Sequence, residues 1–199
     1  MLELKKFAIT GGMASGKSTV TNIFKSLGAY TVDSDEIVHK LLSPKTILGK
    51  KVIDLFGDDI VKNGQIKRSV LADIVFDNPE KLYLLEKVIH PNVFKEIDAI
   101  YKKVSLQRSY PIFLVEISLL FEIGAEGYFD GVIVVTAGEE LCKKRIKKKG
   151  ISVNEYHRRM QRQLTPQAKA KRADYILKNE GTLDHLKQEV TTLFKKLST

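Results

Sequence analysis

Scarcity is the first thing this chain shows. Its 199 residues hold one cysteine and no tryptophan, and nowhere do eighteen apolar residues run together. A single cysteine, Cys142, makes an internal disulfide impossible. In Glu139-Glu140-Leu141-Cys142 it reads as a small buried hydrophobe on a helix, not a nucleophile. Without a long apolar run there is no candidate membrane helix, and the first residues pass into a strand pattern with no apolar signal region. Neither membrane insertion nor secretion is therefore expected, and a reducing cytoplasm is the expected compartment. Internal repeats and low-complexity linkers are missing too, so one α/β unit with room for an insertion is expected at this length.

Acidic residues are scarce in one place. The chain carries a formal +9, yet residues 143–172 alone hold twelve Lys/Arg against one acid, Glu155, a local net of +11 that leaves the remainder at −2. Charge this concentrated implies a local polyanion site, for which a bound nucleotide suffices. A basic RNA-binding protein is the reading from another class, but the segment offers one aromatic, Tyr156, on which bases could stack. No nucleic-acid partner is expected. A GTP switch is disfavoured because no Asn-Lys-x-Asp follows the fourth strand.

What is present is organised around Gly11-Gly12-Met13-Ala14-Ser15-Gly16-Lys17-Ser18-Thr19, which fits G-x-x-x-x-G-K-[ST] at every fixed position. Lys5 to Thr10 reads as a strand running into this loop. Ser18 to Leu27 reads as a helix leaving it, with Val20, Ile23, Phe24 and Leu27 on one face and Gly28 as a left-handed cap. A polyphosphate must be held by backbone N–H groups, which requires the tight turns glycine permits and gains from the partial positive charge of a helix N-terminus. The pattern assigns Gly12 through Thr19 to ATP, Lys17 to its β- and γ-phosphates and Ser18 to a bridging Mg²⁺.

Further along, Ala29 to Asp33 reads as a second strand and Ser34 to Leu42 as a helix. Asp33 and Asp35 share a face if the strand persists and diverge if the helix starts earlier, and Ser34 or Asp35 is a candidate N-cap. Residues 34–109 read as almost wholly helical. Asn63-Gly64 marks a turn, Asn78-Pro79 opens a helix through His90, and Pro91 opens the next. Pro111–Ile117 and Gly131–Val135 are continuous apolar runs, as in strands covered on both faces, with Glu116 breaking the first. Glu139–Lys149 reads as a basic helix, Ser152-x-x-Glu155 as a capping box and Thr165-Pro166 as another helix start. Tyr175-Ile176-Leu177 reads as the last strand, followed by an amphipathic helix from Leu183. The alternation implies a parallel sheet with right-handed crossovers.

Several of these stretches together resemble the dephospho-coenzyme A kinase family, P-loop kinases of the nucleoside-monophosphate-kinase type. Thr10 to Ser18 resembles T-G-G-I-G-S-G-K-S, and Val32-Asp33-Ser34-Asp35 resembles V-I/V-D-A-D. Gly64-Gln65-Ile66-Lys67-Arg68 is similar to G-x-I/L-x-R, His90-Pro91 to H-P, and Glu116 to Glu122 to D-x-P-L-L-F-E. Residues 172–181 are similar to A-D-x-x-I-x-N-x-G. The resemblance covers nearly the whole chain. It implies a three-layer P-loop fold with a five-stranded parallel sheet: a core (about 1–34, 110–145 and 173–199), a helical substrate lobe (about 35–109) and a short basic lid (about 146–172). It further implies transfer of the ATP γ-phosphate to the ribose 3′-hydroxyl of dephospho-coenzyme A, the final step of coenzyme A synthesis. Carried over by position, Asp35 is the base or hydroxyl-orienting carboxylate and Arg145 the cation on the transferring phosphoryl group. Asp33, Arg68, His90 and Arg159 face the acceptor, and Glu116 joins Ser18 at the metal. His90 reads equally as a hydrogen-bonded helix-end histidine, and Arg68 as a surface charge. Two departures stand out. Ala14 replaces a glycine, which is free of strain only at negative φ, and Glu116 and Ser118 replace Asp and Pro. A P-loop kinase of another small metabolite, a nucleoside or nucleoside monophosphate, is the nearest alternative.

Overall fold

A computed structural model describes residues 4–76, 78–152, 156–157 and 160–199. They fall into two compact units, one of residues 1–32 with 104–199 and the other Asp33–Lys103.

The first unit holds five strands: β1 (Lys5–Gly11), β2 (Tyr30–Asp33, whose last residue opens the second unit), β5 (Ile112–Glu116), β6 (Gly131–Thr136) and β7 (Tyr175–Lys178). They form one parallel sheet in the order β2-β5-β1-β6-β7. Because β1 lies between β5 and β6, Ile9 pairs with Glu116 on one side and Ile133 on the other. The central strands are buried on both faces, which is why β5 and β6 are written as unbroken apolar runs: Ile112 to Val115 are fully buried. Helices α1 (Lys17–Ser26) and the C-terminal Leu183–Leu197 pack over one face, joining Val20, Phe24, Leu186 and Val190 to Ile9, Leu114 and Ile133. Each such side chain contributes about 1.5–3 kcal/mol by leaving water. Helix α1 stops where expected: Gly28 has φ 103, open to glycine at little cost.

The second unit contains α2 (Ser34–Leu41), α3 (Ile47–Phe56), α4 (Arg68–Phe76) and most of α5 (Pro79–Gln107). Three expectations need correction here. The segment is not wholly helical, since Val61–Lys62 (β3) and Gln65–Ile66 (β4) pair antiparallel around Asn63-Gly64. Both turn residues have positive φ, 54 and 70, the conformation of a two-residue hairpin. Next, Pro91 does not begin a helix; it lies inside α5. Its ring removes one backbone bond. The buried stripe Leu85, Ile89, Val93 and Ile97 nevertheless keeps its four-residue spacing across it, so side-chain packing outweighs the loss. Asn78 caps α5 as anticipated, accepting from the Lys81 N–H at 3.0 Å. Finally, the N-cap of α2 is Asp33 and neither Ser34 nor Asp35.

Helix α6 (Glu139–Lys148) follows β6, and α7 (Pro166–Lys171) follows a Thr165 N-cap whose hydroxyl accepts from the Ala168 N–H; the C-terminal helix is α8. Glu155 of the expected capping box, and Arg158 and Arg159, lie outside the described residues.

Candidate active site

Strand β1 delivers the loop to the carboxyl edge of the sheet, and the loop's shape leaves its glycines little alternative. A Cβ on Gly11 would stand 2.3 Å from the Val135 carbonyl oxygen, and one on Gly16 would stand 1.9 Å from Asn179 Nδ2. Gly16 caps α1 with no side-chain oxygen on the first-turn amides, and that turn carries no acid. A helix end built this way directs its N–H groups and partial positive charge at an anion. Ala14 corrects the sequence expectation: its φ is +60, left-handed. Holding a non-glycine residue there costs about 1–3 kcal/mol, sustained only where the surroundings over-determine the backbone.

The surroundings do so through long-range contacts. Arg145 Nη1 donates to the Ala14 and Ser15 carbonyls, each at 3.2 Å, and its Nη2 to the Asn179 carbonyl at 3.0 Å. Asn179 Nδ2 donates to the Ser15 carbonyl at 2.8 Å, while the Asn179 N–H is held by the Thr136 carbonyl. The loop is thus clamped from α6 and from the end of β7. Asn179 lies in the stretch 172–181 similar to A-D-x-x-I-x-N-x-G, to which the sequence motifs attached no role. Its signal was a polar residue placed directly after a strand's carboxyl end, where ligands of parallel sheets bind.

Lys17 is buried, and its Nζ donates to the Gly11 and Gly12 carbonyls at 3.0 and 3.1 Å. Ser18 and Thr21, one turn apart on α1, donate to the two oxygens of Glu116, each at 2.9 Å. That carboxylate sits at the end of β5 beside β1, so a charged residue inside an apolar strand is explained by its two hydroxyl partners. No group of three or more His, Cys, Asp or Glu that could hold a metal exists among the described residues. Hard oxygen donors in this number suit Mg²⁺, which keeps waters and substrate oxygens as most of its ligands. Thr19 is exposed. Met13 and Ala14 pack against buried Cys142, Ile146 and Tyr156, together with Met160. Burial pushes the Cys142 thiol upward, opposed by Arg145 and Lys17, as befits an inert thiol. Tyr156, the lone aromatic of the basic segment, is 5% exposed.

The remaining candidates belong to the second unit. Asp33 Oδ1 accepts from the Asp35 N–H at 2.8 Å, capping α2 and setting Asp35 in its first turn with an exposed side chain. The helix therefore begins before the strand geometry could carry both carboxylates to one face. Arg68 is exposed at the start of α4. His90 is half-buried in α5, and burial holds its imidazole below its ordinary range, against the opposing charge of Glu86.

A glycine-rich loop between the central strand of a five-stranded parallel sheet and a helix carrying Lys17 and Ser18 defines a protein of the P-loop nucleotide-binding class. The family model for dephospho-CoA kinase matches residues 6–185, and the chain belongs to that family. It is 46% identical to a dephospho-CoA kinase of Protochlamydia amoebophila, with 99% of this chain and 98% of the relative covered. Among solved structures, a Thermus thermophilus protein superposes with TM-score 0.84 at 32% identity over 98% of this chain and 99% of that one. The dephospho-CoA kinase from Campylobacter jejuni gives 0.71, also at 32% identity, over 97% and 96%.

Proposed function

We propose that the protein transfers the γ-phosphoryl group of ATP to the ribose 3′-hydroxyl of dephospho-coenzyme A, giving coenzyme A and ADP. The full-length family match carries this reading, and the assembled P-loop supports it. The first-turn amides of α1 hold the phosphates. Lys17 exchanges the neutral Gly11 and Gly12 carbonyls for charged phosphate oxygens, which are stronger acceptors. Ser18, its hydroxyl fixed by Glu116, would hold a Mg²⁺ ion with Glu116 close by, and the ion would supply neutralisation of the phosphate charge.

Arg145 commits three of its five donors to backbone carbonyls. It supports the loop's conformation and sets a permanent positive charge beside the transferring group. Asp33–Lys103 is the acceptor-binding unit. In it Asp33 holds the first turn of α2, and Asp35 aims the acceptor hydroxyl and takes its proton. Arg68, His90 and Arg159 are assigned to acceptor binding, and residues 146–172 to a basic lid over the phosphates. No described helix is long and apolar enough to cross a membrane, and a cytoplasmic site of action belongs to the same proposal.

The test is incubation with ATP, Mg²⁺ and a panel of hydroxyl acceptors, followed by localisation of new phosphate on the product. A 3′-phosphate on dephospho-coenzyme A is expected. Turnover of a nucleoside with none of dephospho-coenzyme A would replace this reading with a different P-loop kinase.

A further inference from the structure

Among the described residues two lysines are buried. One is Lys17, in the phosphate loop; the other is Lys169 on α7, with 0% exposure. Lys169 stands apart from the carbonyls of Gly11 to Ser15, its partners being Glu122 and Ser118. Its Nζ lies 3.0 Å from Glu122 Oε1 and donates to the Ser118 carbonyl at 2.8 Å. Glu122 Oε1 also accepts from the Leu164 N–H at 2.7 Å, and the Ser118 carbonyl also accepts from the buried Thr10 hydroxyl at 3.3 Å. Three separate stretches are therefore joined through the Ser118 carbonyl and the Lys169 ammonium bound to it: the strand end before Gly11, the loop after Glu116, and the returning end of the basic segment. That returning end lies beside the phosphate loop. A Cβ built on Gly12 would stand 3.7 Å from Met160 Cε and 3.9 Å from Pro166 Cγ.

Stability does not account for this arrangement. Desolvation costs a buried ion pair as much as its attraction returns, and apolar replacements of similar volume are commonly neutral or stabilising. Here Glu122 Oε2 is buried with no hydrogen-bond partner among the described residues, and burial holds the Lys169 ammonium below the usual lysine range despite Glu122. Such a pair is instead suited to geometry, since it satisfies donors and acceptors in only one arrangement of the three stretches.

We propose that Lys169 and Glu122 are positioning residues for phosphoryl transfer: they clasp the end of the 146–172 segment to the loop after β5, setting Met160 and Pro166 against Gly12 and fixing the conformation in which the P-loop binds ATP. The inference rests on the reading of that loop as the ATP site. Neither residue touches the phosphates in this account; both act through the loop.

The double variant Lys169→Met/Glu122→Gln removes both charges, keeps comparable volume and retains an acceptor for the Leu164 N–H. Thermal unfolding, ATP dissociation by titration calorimetry, and the KM of each substrate are measured beside the wild type. A melting temperature within a few degrees of the wild type is expected, with ATP Kd and KM raised together about tenfold and the acceptor KM within about twofold. ATP Kd and KM within about twofold of wild type would overturn the proposal, whatever the melting temperature, because a merely structural pair moves stability alone. If the double variant does not fold, Glu122→Asp alone decides: it keeps both charges buried together but draws the carboxylate back from Lys169 and the Leu164 N–H, and ATP affinity lowered about threefold supports the proposal while unchanged affinity overturns it. A wild type that binds no ATP in the same titration refutes the nucleotide reading instead, so the two failures are distinguishable.

Discussion

The phosphate loop and the proposed acceptor unit are built by opposite means. Around Gly11–Lys17 the backbone is held on all sides: Arg145 and Asn179 from outside and Lys17 from within donate to its carbonyls, two glycines admit no side chain, and Ala14 is kept left-handed. In Asp33–Lys103 the candidate groups Asp35 and Arg68 are exposed on the first turns of their helices, and Asp33 caps the helix that carries the first. The lesson is about where precision is needed before the ligand arrives. A polyphosphate recognised by main-chain N–H groups requires a preformed backbone, whereas carboxylates and guanidinium groups on helix ends adapt through their own rotamers.

Mutation can break that contrast, and the largest effect is expected on the adaptable side. Asp35→Asn keeps size and most hydrogen bonding but removes the basic oxygen, so turnover should fall by about 10²- to 10⁴-fold, the usual contribution of a positioned base. ATP affinity, measured separately by calorimetry, should barely move. Loss of ATP binding would place Asp35 with the metal or reduce it to a helix-end residue, and full turnover alongside a dead Asp33→Asn would exchange the two carboxylates' roles.

Lys17→Ala is next. Its ammonium supports charge that builds during transfer, so turnover should drop about 10²- to 10³-fold with weaker ATP binding. Circular dichroism and calorimetry of the variant should show a folded protein, and near-normal activity would remove the loop from the mechanism.

A sharper probe of preformation is Ala14. For Ala14→Gly, relief of left-handed strain is offset by greater freedom of the unfolded chain and a lost methyl contact, leaving the melting temperature within about 2 °C. Ala14→Val meets the same φ with a branched side chain. It should cost about 2 kcal/mol, or roughly 4–8 °C for a chain of this size. A neutral valine would mean that the loop is not held as tightly as its contacts indicate.

The smallest effect is the acid response of His90. Its folded pKa is lowered from 6.5 by burial, so the unfolded chain takes up the proton first; this contribution is complete above about pH 6.5 and is lost as pH falls through the folded value. Urea midpoints at pH 7.5 and 5.5 should therefore converge slightly in His90→Gln relative to wild type. An identical pH dependence in both would show that His90 is not shielded from water.

Legibility followed the range of the interaction. Gly28 past α1, Asn78-Pro79 before α5, the Asn63-Gly64 turn and the unbroken apolar strands are decisions made by neighbours within a few residues, and they read directly from composition and spacing. The loop template was equally plain, because phosphate binding by consecutive amides is itself a local design.

Other features were decided only when distant parts of the chain met. Pro91 stays helical because the stripe from Leu85 to Ile97 packs on both sides of it, and no local rule weighs that burial against a lost backbone bond. Only the family resemblance set Arg145 apart in a run of six cations, and the fold then placed it on carbonyls more than a hundred residues away, as it carried Asn179 to Ser15. By itself the sequence determined the sheet, the phosphate loop and the family. The tertiary structure decided which few of its many lysines and arginines lie inside, because a buried charge is tolerated only where partners from several elements converge on it.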